Sequence, residues 1–174
     1  PGTLWIGTDD GLVQLTRDYG KTWANVTPKG MPETLVNAIE ISPHDKGTAY
    51  IATTRYKFND LAPAIYKTTD YGKTWTNISK GIPYGAYTRV VREDPVRKGL
   101  LFAGTETGLY VSWNGGLQWQ RLQLNLPVTP ITDLLIHHND LIVATMGRAV
   151  WILDDLHIIR QYQPADLAGK LYQP

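Results

Sequence analysis

The chain has 174 residues, enough for one domain with a sizeable core. Its 17 basic and 16 acidic side chains leave a net charge of +1, which argues against the broad basic footprint of a nucleic-acid partner, and the absence of cysteine excludes disulfides and thiolate metal sites. No apolar run reaches the roughly 18 residues of a membrane span, and no basic-then-apolar signal pattern opens the chain.

Ten Tyr, six Trp, 16 Gly and 11 Pro favour short strands joined by sharp turns. In chain order the pattern divides into four units, each running strand A, strand B, strand C, a polar turn and strand D. The first unit begins at strand B (residues 4–8), turns through Asp9, Asp10 and Gly11, and has strand C at 12–16 and strand D at 23–26. A Pro- and Gly-bearing connector, 27–34, leads to the second unit, whose strands fall at 36–42, 48–53, 64–69 and 74–78. The third places them at 88–94, 100–105, 109–112 and 118–122. The fourth has strands at 131–137, 140–145 and 149–153, then Asp154 and Asp155 in place of the polar turn, with 156–162 expected as its strand D. Residues 163–174 form a tail with no clear period. The expected division is thus a partial unit at 1–26, units at 36–78, 88–122 and 131–162, and the tail at 163–174.

The polar turn is nearly the same each time. Thr16-Arg17-Asp18-Tyr19-Gly20-Lys21-Thr22-Trp23 recurs as Thr68-Thr69-Asp70-Tyr71-Gly72-Lys73-Thr74-Trp75, and in worn form as Ser112-Trp113-Asn114-Gly115-Gly116-Leu117-Gln118-Trp119. A hydroxyl residue, a carboxylate or amide, a glycine and a tryptophan have the chemistry of a tight turn with an apolar plug. Asp or Asn bonds nearby backbone N–H groups, Gly supplies positive φ, and the indole is expected to be buried beneath the turn with its N–H partnered. Asp18, Asp70 and Asn114 fall far apart along the chain, at the same turn of successive units. They are therefore assigned to structure rather than catalysis, together with Gly20, Gly72, Gly116, Trp23, Trp75 and Trp119. The motif resembles the Asp box, S/T-x-D-x-G-x-x-W, of BNR-repeat β-propellers such as sialidases, sortilin-like receptors and xyloglucan hydrolases. Residues 36–155, with Arg92-Glu93-Asp94-Pro95, Gly104-Thr105-Glu106-Thr107-Gly108-Leu109-Tyr110 and Trp151-Ile152-Leu153-Asp154-Asp155, are similar to the closing blades of large, mostly bacterial proteins of that kind. The resemblance implies an all-β propeller of about four blades, part of a seven- or eight-bladed ring completed by the remaining blades of a parent chain or by a second copy. It also implies an exported protein that is secreted, periplasmic or at the cell surface.

In a propeller the D-to-A and B-to-C connections surround one mouth of the central channel. Strand A is expected to bring Asn37, Arg89 and Asp133 there at equivalent positions, and the B-to-C turns to add Arg55, Tyr56, Glu106 and Arg148. The second unit's B-to-C insertion also carries Phe58 and Asp60. A longer loop with aromatic and charged tips is where binding concentrates. The expected ligand residues are Arg55, Tyr56, Arg89, Glu106, Asp133 and Arg148, for a glycan, a peptide or a protein. No cofactor is implied. The adjacent His137 and His138 point to opposite faces of a strand, so no metal site is expected. Sugar hydrolysis would need two carboxylates roughly 5 to 10 Å apart. Asp60, Glu106 and Asp133 are the candidates, no spacing singles out a pair, and the Arg-Ile-Pro motif of sialidases is absent. Asn25-Val26-Thr27 and Asn77-Ile78-Ser79 match the glycosylation sequon, which duplication of the repeat explains on its own.

Overall fold

The structure, a computed structural model, describes residues 2–162. It contains four antiparallel sheets whose strands follow one another in sequence order. The first is β1 (Leu4–Gly7), β2 (Val13–Thr16) and β3 (Ala24–Asn25); the second is β4 (Leu35–Ile41), β5 (Ala49–Arg55), β6 (Asp60–Thr68) and β7 (Thr76–Asn77). The third comprises β8 (Thr88–Glu93), β9 (Leu101–Thr105), β10 (Leu109–Ser112) and β11 (Gln120–Arg121), and the fourth β12 (Ile131–His137), β13 (Asp140–Thr145) and β14 (Val150–Leu153). The second and third sheets have the full order A-B-C-D, the first has B-C-D and the fourth A-B-C. The predicted tail lies outside the described residues.

Period-2 alternation makes each blade a two-sided layer. Along β9, Leu101 and Ala103 enter an apolar cluster with Tyr50, Ala52, Ile65 and Ile78 of the second blade, while Phe102 faces Leu134, Leu141 and Val143 of the fourth. Consecutive residues of one strand therefore glue two different interfaces, which is why β9 is buried throughout.

The polar turns close as their chemistry requires. Asp70 accepts from Thr68 Oγ1 at 2.8 Å, from Thr74 N at 2.9 Å and from Thr74 Oγ1 at 2.7 Å, and Gly72 N donates to Thr68 Oγ1 at 2.9 Å. Asp18 repeats the set with Thr16 and Thr22, and Asn114 keeps the bonds from Ser112 Oγ and Gln118 N. Gly72 has φ +80°, and a Cβ there would lie 2.7 Å from Val26 Cβ, so glycine serves both the turn and the close approach to the preceding blade. Each indole reaches back as well: Trp75 Nε1 donates to Val26 O at 2.7 Å and Trp119 Nε1 to Ile78 O at 2.6 Å.

Three expectations are corrected. The tryptophans are not uniformly buried beneath their own turns: Trp119 is 2% exposed, Trp75 is half-buried and Trp23 is 41% exposed, because the indole packs on the preceding blade and the described residues place none before the first. Strand C of the second blade starts at Asp60 rather than 64, since the insertion continues the hairpin through a 3-10 turn, Tyr56–Phe58, with Asn59 in the left-handed region. Residues 156–162 do not form a strand D. They hold the helix α1 (His157–Gln161), seated by buried Leu156 and by the Arg160 guanidinium 2.9 Å from the fully buried Asp94 carboxylate.

Truncating the indoles should therefore have graded effects. Trp119→Ala is expected to cost about 3–5 kcal/mol, Trp75→Ala less and Trp23→Ala least, measured by urea denaturation of the 174-residue chain. A second prediction concerns acid. Hydrogen bonds from the Thr22 amide and hydroxyl hold the Asp18 carboxyl down to about 2, and those from the Thr74 hydroxyl and amide hold Asp70 down to about 2. A carboxyl depressed in the fold stabilises it fully above its unfolded value near 4 and loses that contribution as pH falls toward 2. Stability should decline over that window, and the double variant Asp18→Asn, Asp70→Asn should show a shallower decline; Asp10 and Asp155, also lowered, leave a residual slope.

Candidate functional site

Strand A of the second, third and fourth blades carries a β-bulge at its start. Pairing skips one residue between Val36 and Ala38, between Thr88 and Val90, and between Ile131 and Asp133. The bulged residues are Asn37, Arg89 and Thr132, so Thr132 rather than Asp133 is the true equivalent, and Asp133 corresponds to Ala38 and Val90. The extra residue shifts the alternation by one, a displacement that counting from the strand start does not reveal.

These residues border a cleft of about 260 Å³ lined by Asn37, Ile39, Arg89, Arg92, Thr132 and Asp133. Its walls are fixed by bonds between blades. Asn37 Nδ2 donates to Thr88 O at 3.0 Å, and the fully buried Thr88 hydroxyl, which accepts from Ala64 N at 3.2 Å, has its one proton between Ala64 O at 2.8 Å and Thr53 O at 3.1 Å. Arg92 links the third blade to the fourth, donating to Leu134 O at 2.9 Å and to Asp133 Oδ1 at 2.7 Å, with the Glu40 carboxylate of the second blade 3.7 Å away. Burial pushes the Glu40 carboxyl up despite the nearby guanidinium.

Beside the cleft, Arg89 grips one oxygen of Glu106 through Nε at 2.8 Å and Nη2 at 2.6 Å, and Nη2 also donates to the Tyr87 hydroxyl at 3.2 Å. Burial opposes the Arg89 charge, and Glu106 outweighs it, holding the guanidinium above its ordinary value. Burial and the Glu106 hydrogen bond push the Tyr87 phenol up. Tyr56 stacks on Tyr87, with ring centroids 5.7 Å apart and planes 20° from parallel. Arg55 bonds Asp60 at 3.0 Å, donates to Glu33 O, and lies 5.0 Å from the Phe58 ring centroid. The Tyr56 and Phe58 rings are 44% and 48% exposed, so this ridge presents aromatic surface that its own contacts do not consume.

Of the six expected ligand residues, the structure brings together Arg55, Tyr56, Arg89 and Glu106 through Tyr87 and the insertion. Asp133 belongs to the adjacent Arg92 cluster. Arg148 stands apart on an exposed turn, where its amide donates to Thr145 Oγ1 and its carbonyl accepts from the Trp151 indole. Sequence reasoning missed Tyr87 and Arg92 as members. Tyr87 sits two residues before Arg89, the extended-chain spacing that puts neighbours on one side, whereas the register of Arg92 depends on the bulge. The two histidines do not point to opposite faces: β12 ends at His137, His138 turns with φ +53°, and the rings pack at 4.2 Å, while among the described residues no three metal-ligating side chains converge. No described helix is long and apolar enough to cross a membrane.

Four antiparallel meander sheets, three of them with the repeated Thr/Ser-x-Asp/Asn-x-Gly-x-x-Trp turn, and a polar cleft beside the strands that open the second, third and fourth are consistent with four blades of a β-propeller. Comparison with solved structures bears this out. The chain superimposes on the GH74 xyloglucanase of Xanthomonas campestris with a TM-score of 0.68 at 21% identity, covering 90% of this chain and 26% of that one. It superimposes on YCF48 bound to D1 peptide with a TM-score of 0.64 at 19% identity, covering 88% and 48%. In sequence it is 34% identical over 83 residues to a probable oligoxyloglucan-reducing end-specific xyloglucanase of Neosartorya fischeri, spanning 45% of this chain and 9% of that protein. No family model matches. The likeness to solved structures establishes the fold, and the chain spans under half of each of these proteins.

Arg92→Met should cost about 1–3 kcal/mol, since it takes the guanidinium from the partly buried Glu40 carboxylate and the donor from Leu134 O. Asp133→Asn, at a side chain 63% exposed, should change stability far less. Urea denaturation of both variants checks the contrast.

Proposed function

We propose that this chain is a non-catalytic binding or scaffolding segment of an exported BNR-type propeller, recognising a glycan, peptide or protein on the channel face. The supporting observation is how the charged groups are disposed. Glu106, Asp133 and Asp60 each lie 2.6 to 3.0 Å from an arginine. A catalytic acid of a glycosidase instead sits where its surroundings favour the protonated form. Carboxylates committed to guanidinium groups act as acceptors of fixed direction, and the exposed Tyr56 and Phe58 rings add apolar faces, a combination suited to holding a polar polymer. The contacts would come from Arg55, Tyr56, Arg89, Glu106 and Asp133, with Arg148 at the periphery. The exported setting rests on the resemblance to BNR-repeat proteins, and fractionation of the producing cells tests it.

A second reading is supported by the similarity to xyloglucanases: the same face would complete a glycoside hydrolase cleft whose other residues lie elsewhere in a longer protein. Titrating the protein against panels of plant oligosaccharides and synthetic peptides separates the two. Binding without turnover is expected, weakened about tenfold or more by Tyr56→Ala or Arg89→Ala. Release of reducing sugar that disappears in Glu106→Gln or Asp133→Asn would replace the binding reading with the enzyme. Retention of full affinity in both the Tyr56 and Arg89 variants would remove this face from the function.

A further inference from the structure

The pocket that holds a box indole is built again one blade further on, where the sequence supplies no tryptophan. In the third blade Trp119 lies in a cluster with Ile65, Ile78 and Ile82 of the second blade and with Ala103 and Tyr110 of its own sheet, and its Nε1 donates to Ile78 O at 2.6 Å. Strand register and the connector hydrogen bonds carry those neighbours onto Leu109, Leu122, Leu126, Val143 and Trp151. The same residues line one crevice between the third and fourth blades, beside Leu153 at the end of β14. Past Leu153 the chain continues with Asp154 and Asp155, and residues 154–174 carry no tryptophan to enter it.

Two further features converge on this place. Leu122 O, the counterpart of Ile78 O, accepts no hydrogen bond among the described residues. β2, β6 and β10 are each flanked by a strand D, whereas β14 pairs only with β13 and keeps its outer edge free. The chain after Leu153 does not cover that edge, because α1 lies against the polar turn of the third blade, with Trp113 Nε1 donating to Ile159 O at 2.8 Å.

We propose that the crevice and the β14 edge together bind an extended peptide of a partner protein, which pairs along β14 and sets a tryptophan ring where Trp119 sits one blade earlier. The repeat itself identifies the occupant. Apolar side chains in the arrangement that encloses Trp119 fit a large flat ring, and Leu122 O is placed to accept its N–H. The unpaired N–H and C=O groups of β14 suit an extended backbone rather than a compact ligand. Strand D runs antiparallel to strand C, so the residues just before the ring fall at the Asp154 end of β14. Asp154 is exposed and forms no salt bridge among the described residues, which favours a basic residue there, as Lys73 stands two places before Trp75. One difference sets the depth of entry. A Cβ on Gly81 would lie 2.4 Å from Trp119 O, and Asn125 holds the corresponding position here, so the backbone of the visiting peptide stays farther out while its ring enters. Trp75 shows that this suffices: Trp119 adds a bond from its backbone N to Lys80 O at 2.9 Å, and Trp75 docks on Val26 O without one.

The test titrates the 174-residue chain into a fluorescein-labelled peptide Lys-Thr-Trp-Thr-Asn-Ile, a copy of residues 73–78, read by anisotropy. Saturable binding is expected, weakened about tenfold or more when the peptide's tryptophan becomes alanine, and less when it becomes 1-methyltryptophan, which keeps the ring and loses the N–H. Asp154→Lys, a change at an exposed side chain that leaves folding intact, should weaken binding, and a peptide with glutamate in place of its lysine should restore it. The methyl resonances of Leu109, Leu122, Leu126 and Val143 should shift as the peptide is added. Absence of binding, or equal binding of the alanine peptide, would overturn the proposal. Shifts confined to the surroundings of Tyr56 and Arg89 would assign the peptide to the channel face instead. N-acetyltryptophanamide binding as tightly as the peptide would replace the partner with a small aromatic ligand, and binding that appears only after deletion of residues 163–174 would make the tail the occupant.

Discussion

The structure depends on one short contact made twice: the indole N–H of a box tryptophan donating to a carbonyl beyond the preceding blade's strand D. A buried indole N–H without an acceptor is costly, and a carbonyl just past a two-residue strand has no ladder partner of its own. Meeting each other, they satisfy both needs and fix the distance between blades. The glycine of the same turn then becomes obligatory for a second reason, since the approach that brings the indole to the carbonyl leaves no room for a Cβ. The Asp box is thus a docking device as much as a turn, and its consensus records contacts that belong to two blades at once.

The loss of the box in the fourth blade shows what has to replace it. Asp154 and Asp155 keep carboxylates but supply neither the glycine nor the tryptophan, and α1 takes over the covering role through a different set of polar bonds. The Asp94 carboxylate, wholly buried, receives the Arg160 guanidinium at 2.9 Å and the amides of Val96 and Arg97 at 2.8 and 2.6 Å. Arg97 in turn donates to the carbonyls of Arg160 and Tyr162 at 2.7 and 2.6 Å, closing the end of a helix too short to satisfy itself. A buried ion pair with this many hydrogen bonds is costly to break from either side, and Trp113 Nε1 adds a further bond to the helix at Ile159 O, 2.8 Å.

Much of this was legible in the sequence. Three copies of an eight-residue turn gave the blade order, and strand alternation gave the two-faced core. What stayed illegible arose wherever a contact depended on a partner far along the chain. Trp23 and Trp119 are the same letter in the same motif, yet one is wet and the other dry because of what lies before them. The bulges at Asn37, Arg89 and Thr132 have no local signature, so the equivalence drawn to Asp133 slipped by one residue, and Arg92 went unnoticed although it bridges three blades. The run 156–162 contains Ile158 and Ile159 and reads as a strand by pattern; tertiary anchoring through Leu156 and Arg160 overrides that preference.

The same reasoning separates fold from function on the channel face. Strands A are positioned by Thr88, Asn37 and Arg92, whose bonds run to backbone groups of neighbouring blades, so the cleft is a rigid consequence of how the blades stack. What varies freely is the B-to-C connection: a compact turn around Glu106 in the third blade, a hairpin extension with two exposed rings in the second. That extension meets the entry to the third blade through the Tyr56–Tyr87 stack, and the 3-10 turn at its tip holds Tyr56 and Phe58 with less side-chain entropy to lose on binding than a free loop would have. Ordered aromatic surface on a connection rather than on the strands is where a ligand preference can change while the scaffold stays the same.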